Sequence, residues 1–597
     1  MATCAVDITS ENYTDFICRH GCEGWLSAMP DVAPVCSDDA FPGYSIIYFP
    51  SENTLPISLE KYPYYSIPKL FTLLDTSALE SSGIFQVFNQ PSLGQRGRGA
   101  LLGFIDTGID YRSPVFRKKD GSTRILGIWD QTVPRRFDEA GETTATGSTD
   151  SELFSFLQYG VHFSEEQIND ALSSPDPLSL VPSQDTLGHG TFLAGIAAGT
   201  PLPSLDFIGA APEASLAVVK LKPAKKYLRE FFCITEGANA YQENDIITGI
   251  RYLAELARIH HMPLAVCIGL GTNFGSHGGT SPLSLSFSSL SRSIGACTVI
   301  AAGNESGLSH HYVGTVSDAS TPDEVEIRVG EEENGFVVEL WASTLETYTV
   351  GFVSPSGETI NRIPLTLSSN ATVSFLLEPT VINVNYRPQE LGSGKQLVFM
   401  RFSDPSPGIW RIRVYSSLLL DGDYHMWLPT ESFISPNTVF LRPNPYTTIT
   451  SPGDTPLPIT IAAYNHSGGN IYIHSGRGYT IDNRIKPDIA APGVEIYGPG
   501  VIPEAAYRAA VLNGEDAPSV PMVRKTGTSA AAALAAGAVA NLLSWGIVEG
   551  NDPGMSEAAI RAYLVRGATR SRAFSYPNQE WGYGILNLYN TFLQLRE

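Results

Sequence analysis

The sequence predicts an α/β protein built on a parallel sheet with helices on both faces, carrying an inserted antiparallel β-sandwich and preceded by an N-terminal α+β piece. Three observations lead there. Ala100 to Ile105, Leu216 to Leu221, Leu264 to Ile268 and Cys297 to Ala302 are apolar runs, each the length of a strand buried on both faces. Between two of them Ile246, Ile250, Leu253 and Ala257 recur at helical spacing, so strand, helix and strand follow one another as in a parallel sheet with crossover helices. After about His311 short β-like runs alternate with turn signals, and no convincing helix lies between them.

In chain order, residues 1–75 form the N-terminal piece, with a helix expected near Glu11 to Cys18 and a strand at Tyr44 to Phe49. Residues 76–312 hold the first part of the α/β domain. Its strand ends read Asp106-Thr-Gly, Gly269-Leu-Gly and Gly303-Asn, and ligands of open parallel sheets collect outside such carboxyl ends. Residues 313–439 hold the insert, with strands expected at Phe336 to Leu340, Tyr348 to Val353, Thr372 to Leu377, Val381 to Tyr386, Leu397 to Phe402 and Trp410 to Tyr415. Residues 440–597 return to α/β character and end in an alanine-rich helix and a helical segment from Ser556 to Val565.

Composition narrows the function. Of 597 residues, 43% are hydrophobic and 17% charged, which suits a chain that folds around large cores and argues against disorder. The formal net charge of −22 repels phosphate backbones and anionic lipid surfaces, so nucleic acid is not an expected partner. The first residues show neither the basic nor the apolar stretch of a signal peptide, and synthesis in the cytoplasm is expected. The seven cysteines, Cys4, Cys18, Cys22, Cys36, Cys233, Cys267 and Cys297, are odd in number and suit a reducing compartment better than a disulfide framework. Four cluster near His20, but their spacing matches no zinc pattern, and free thiols are the expectation. Ala530 to Val548 is long enough to cross a membrane; eight of its residues are alanine, so a packed core helix is expected and no membrane span.

Three motifs carry chemistry. Phe104-Ile-Asp106-Thr-Gly-Ile-Asp110 puts a carboxylate at the end of a buried strand. Asp185-Thr-Leu-Gly-His189-Gly-Thr opens a small-residue helix with a histidine between two glycines, and Thr526-Gly-Thr-Ser529-Ala puts a serine at the start of the alanine-rich helix. A serine hydroxyl is a poor nucleophile until a base takes its proton, and a histidine serves best when a carboxylate fixes its tautomer. A helix N-terminus adds oriented N–H groups that favour a developing oxyanion. Each motif alone is more often a turn, a structural histidine or a helix cap; together they point to nucleophilic catalysis.

The order Asp, His, Ser with these flanks resembles the subtilisin-like serine proteases (subtilases, peptidase family S8) over roughly residues 95 to 312 and 440 to 590. The resemblance implies that Asp106 orients the imidazole, His189 is base then acid, Ser529 is the nucleophile, and Asn304 in Ala301-Ala-Gly-Asn-Glu is the side-chain oxyanion donor. It also implies that Gly269, Leu270, Gly271 and Gly303 border the bound peptide backbone, and that Arg484 to Gly493 is a further family segment. Ile67-Pro-Lys-Leu, Ile128-Trp-Asp-Gln-Thr and the β-rich insert resemble the Csp proteases of clostridial spore formers. Those relatives imply a subtilisin-like sheet with an inserted jelly roll and a prodomain in residues 1–75, cut autocatalytically between about Leu73 and Leu79 and able to remain in the cleft. Ala533 stands where most subtilases have proline.

The expected function is therefore a self-processing serine endopeptidase acting on protein or peptide substrates, cytoplasmic or spore-associated, with activation of a cortex-lytic zymogen as its implied role. No cofactor is required, and structural calcium is allowed without an assigned site. The alternatives are a catalytically silent scaffold with a retained prodomain, and a surface binder working through the insert. His277 is weighed as a border of the cleft; His310 and His311 match no role and read as solvated or structural.

Overall fold

The computed structural model describes residues 7–19, 34–41, 43–73, 80–90, 92–135, 154–365, 370–418, 420–513 and 519–595. Its centre is a nine-stranded sheet in the order Asn470–Ile471, Ile459–Asn465, Ala296–Ala301, Leu264–Ile268, Leu101–Asp106, Ser215–Lys220, Ile125–Asp130 and Val161–Ser164, with Ile489–Pro492 paired to Ile459–Asn465. The inner pairs are parallel, and the antiparallel strands Asn470–Ile471 and Val161–Ser164 are added at the sides.

Strand alternation divides the core in two. Leu102, Phe104, Leu216, Val218, Ala265, Cys267 and Val299 face the helices His189–Ala198 and Thr528–Leu543, while Leu101, Ile105, Ala217, Val219, Val266 and Ile300 face Glu243–Ile259 and Pro282–Leu290. Successive residues point to opposite faces, so a strand covered on both sides must be apolar throughout. Thr528–Leu543 is buried at every position. With its short continuation to Val548 it is long and apolar enough to cross a membrane, yet it packs inside the molecule, where methyl side chains let it lie close to the sheet.

The insert is two antiparallel sheets. One runs His311–Thr315, Asp423–Trp427, Gly335–Ala342, Gln396–Ser403, Val381–Arg387 and Asn370–Ser374; the other runs Thr359–Ile360, Tyr348–Val353, Gly408–Ser416, Asp323–Val329 and Val439–Phe440. Val338, Leu340, Val398 and Met400 of the first meet Val325, Ile327, Ile412 and Val414 of the second in one apolar core.

The N-terminal piece corrects two expectations. Tyr13–Arg19 is a strand and not a helix, pairing antiparallel with Tyr44–Pro50, which in turn pairs with Cys36–Phe41. Phe16 and Ile17 are neighbours in sequence and both fully buried, in different apolar clusters, and a strand covered on both faces meets that demand. Cys18 and Cys36 are each disulfide-bonded, contrary to the free-thiol reading; a disulfide leaves no sequence periodicity to read. Cys4, His20 and Cys22 lie outside the described residues. Cys233, Cys267 and Cys297 are free.

Candidate active site

The three motifs meet at the carboxyl edge of the central sheet. Asp106 ends Leu101–Asp106, and its Oδ1 accepts from His189 Nδ1 at 2.7 Å and from the Thr107 backbone N–H at 2.8 Å. Both side chains are buried. Donation from Nδ1 leaves Nε2 as the acceptor side of the imidazole, the tautomer a general base needs.

Local sequence explains how the histidine arrives there. Asp185 folds over the first turn of its helix, accepting from the Gly188 N–H at 2.8 Å and from Thr191 N at 2.8 Å and Oγ1 at 2.7 Å. Thr107 Oγ1 accepts from the Gly190 N–H at 2.9 Å, so the strand end and the helix start are stitched together. At Gly190 a Cβ would stand 2.2 Å from the Gly108 carbonyl oxygen, and only glycine permits this approach.

Ser529 is the second residue of Thr528–Leu543, and its Oγ donates to the Gly269 carbonyl at 3.1 Å. A Cβ at Gly269 would lie 3.0 Å from Ser529 Cβ and 3.2 Å from His189 Cε1, so nucleophile and base flank one glycine. The hydroxyl is turned to the Gly269 carbonyl. Asn304 follows Ala296–Ala301, and its Oδ1 accepts from Thr528 N at 3.0 Å and Oγ1 at 3.1 Å. With the oxygen engaged twice, the NH2 is the side left to donate. The Gly303 N–H donates to the same Thr528 hydroxyl at 3.1 Å. The Gly527 N–H donates to Gly493 O at 2.8 Å, which ties the Arg484 to Gly493 return to the serine helix.

Leu270–Gly271, expected to border a bound peptide, is already paired. Leu70–Leu73 lies antiparallel to it, Leu73 opposite Leu270 and Thr72 opposite Gly271, and pairs on its other side with Tyr241–Gln242. An extended segment of the N-terminal piece therefore fills the middle place of a three-stranded sheet beside Ser529. Main-chain pairing of this kind is how a peptide adds to an exposed strand edge.

A subtilase family profile (Peptidase_S8, Subtilase family) matches residues 97–369 and 437–584. The chain belongs to the subtilase family. Among solved structures this subtilase is similar to the Clostridium perfringens CspB protease, with 29% identity, a TM-score of 0.72, and 87% of this chain and 97% of that one covered. It is also 34% identical over 109 residues to subtilisin-like protease SBT4.3 of Arabidopsis thaliana, a match spanning 18% of this chain and 14% of the plant protein.

The candidate residues Asp106, His189, Ser529, Asn304, Gly269, Leu270, Gly271 and Gly303 of this subtilase thus share one locality. His277 stands behind the wall, buried and stacked on Trp427 at 4.1 Å between ring centres. His310 is not solvated: it is 3% exposed and paired with Glu305 at 2.7 Å. Among the described residues no group of three or more His, Cys, Asp or Glu is placed to hold a metal ion.

Sequence reasoning missed the residues that fasten the N-terminal piece. Asp15 accepts from Lys225 Nζ, from Gln242 Nε2 at 3.0 Å and from Asn244 Nδ2 at 3.2 Å, all of them buried. Lys225 Nζ also donates to the carbonyls of Ile8 at 2.7 Å and Tyr13 at 2.8 Å. Nearer the cleft, Glu339 of the insert accepts from Tyr64 OH, from the Gly275 N–H at 2.9 Å and from Trp341 Nε1 at 2.9 Å. No spacing joins Asp15 to Lys225 or Tyr64 to Glu339, so no motif announced them.

Proposed function

We propose that this subtilase is a serine endopeptidase made as a self-processing zymogen, with Ser529 as nucleophile, His189 as base then acid, Asp106 as orienting carboxylate, and Asn304 with the Ser529 N–H as oxyanion donors. The observation that carries the reading is the Asp106–His189 hydrogen bond standing beside the serine on the helix N-terminus, with Gly269 between them. Ser529 attacks the scissile carbonyl as His189 takes its proton; the tetrahedral oxyanion is held by Asn304 and the helix amide; His189 returns the proton to the leaving amine, and water then hydrolyses the acyl-enzyme. These groups supply nucleophile, base and electrostatic stabilisation, so the reading requires no cofactor.

Residues 1–75 act as the prodomain in this reading. The antiparallel pairing of Leu73 with Leu270 and of Thr72 with Gly271 supports self-cleavage between about Leu73 and Leu79. The buried contacts of Asp15 and Lys225 support retention of the N-terminal piece after the cut. Disulfides persist in oxidising surroundings, so the bonded Cys18 and Cys36 favour a spore-associated over a cytoplasmic location. A role in germination, through cleavage of a cortex-lytic zymogen, is what the sequence resemblance to the Csp proteases implies.

The occupied cleft also favours a second reading, a catalytically silent subtilase whose N-terminal strand never leaves. Mass spectrometry of the purified wild type beside Ser529→Ala, with a fluorophosphonate probe, separates the two. Endopeptidase activity predicts a chain cut between about Leu73 and Leu79 and a labelled serine in the wild type only. An intact, unlabelled wild type defeats it.

A further inference from the structure

Glu305, the residue after Asn304, turns its side chain into the interior, where it is 6% exposed. Its Oε2 accepts from His310 Nδ1 at 2.7 Å and from Asn273 Nδ2 at 3.0 Å, and its Oε1 accepts from the Glu431 N–H at 3.2 Å. The donors come from three segments. Asn273 lies two residues beyond Gly271 on the cleft wall, His310 immediately precedes the first strand of the insert, and Glu431 lies on the path back from it. The returning segment closes the cluster twice more: Asn273 Nδ2 also donates to Leu428 O at 3.1 Å, and the Leu428 N–H donates to His310 O at 2.9 Å.

We infer that Glu305 is a positioning residue through which the inserted sandwich holds Asn304 and the Gly269–Asn273 wall in catalytic register. The inference rests on the endopeptidase reading above. Thr528 fixes the Asn304 side chain relative to the serine helix, but nothing in that contact fixes the loop relative to the wall on which a substrate lies. Glu305 supplies that second constraint, one peptide bond from the oxyanion donor. Such a donor works only at hydrogen-bond distance from the place where charge develops, and displacement by about an ångström costs on the order of 10²-fold in rate. The insert is in this view part of the catalytic frame.

Glu305→Gln tests it, since the amide keeps the shape but sets an N–H donor against the N–H donors of His310, Asn273 or Glu431. Active sites are counted with fluorophosphonate taken to completion, and turnover is followed on a fluorogenic peptide ending in Phe-Thr-Leu-Leu. The expected result is a kcat per counted site lowered about tenfold or more, with KM within about threefold. His310→Ala should lower kcat less, and the double variant should be no slower than Glu305→Gln alone, because both residues serve one network. A lowered melting temperature with unchanged kcat per counted site overturns the inference, and so do losses that simply multiply in the double variant. Should Glu305→Gln fail to fold, His310→Ala decides: kcat unchanged per counted site overturns it. A wild type indistinguishable from Ser529→Ala removes the endopeptidase reading, and the inference falls with it.

Discussion

Two of the grips on the N-terminal piece differ in kind. At the cleft Leu70–Leu73 is held mainly by its backbone between Leu270–Gly271 and Tyr241–Gln242, an arrangement any extended peptide could share. Behind the sheet, Asp15 and Lys225 are held by side chains that match only each other and their immediate neighbours. Gln242 belongs to both, pairing with Leu70 through its backbone and donating to Asp15 through its side chain. The difference teaches that a cut at the cleft would sever a generic hold and leave the specific one in place.

The strongest way to break this comparison is Ser529→Ala. It should abolish self-cleavage entirely while both grips persist, giving one intact chain by mass spectrometry. Asn304→Ala should come next, slowing turnover per folded molecule by about 10²- to 10³-fold, the usual loss for one oxyanion donor. Asp15→Ala acts only behind the sheet. It leaves Lys225 buried without its partner, a change worth about 3–5 kcal/mol, so the cut N-terminal piece should no longer co-elute with the rest on gel filtration. Co-elution as in the wild type would show that the contacts nearer the cleft suffice without Asp15.

The smallest expected effect concerns pH. Burial holds the Glu339 carboxyl above its usual range. A carboxyl raised on folding lends stability that is fully present below its unfolded value and is lost as pH rises through the folded one. Glu339→Gln removes this titration, so the wild type should lose melting temperature relative to the variant as pH rises through that window, by about 2–4 °C per kcal/mol. Parallel curves for the two proteins would show that Glu339 does not titrate there.

Much of the fold was legible because strands covered on both faces must be continuously apolar, as Leu101–Asp106 and Leu264–Ile268 are. The site residues were legible because each sits at a strand end or helix start marked by glycines that close packing demands. Legibility failed where burial and apolarity part company. Asp323–Val329 alternates charged and apolar residues, and Asp423–Trp427 carries a histidine, so neither looks like the runs around it. His310 matches no role in the sequence, and its hydrogen bond with Glu305 removes the cost that normally keeps such groups outside.

The insert leaves and rejoins the α/β domain through a narrow doorway. The Phe440 N–H donates to Ser309 O at 3.0 Å, and the Asn444 N–H to His311 O at 2.8 Å, so the two crossing strands of chain stand side by side. Such a cassette can be gained in one genetic event without rerouting the host sheet. Once Tyr64, Gly275 and Asn273 have grown against it, it can no longer be lost as easily as it was acquired.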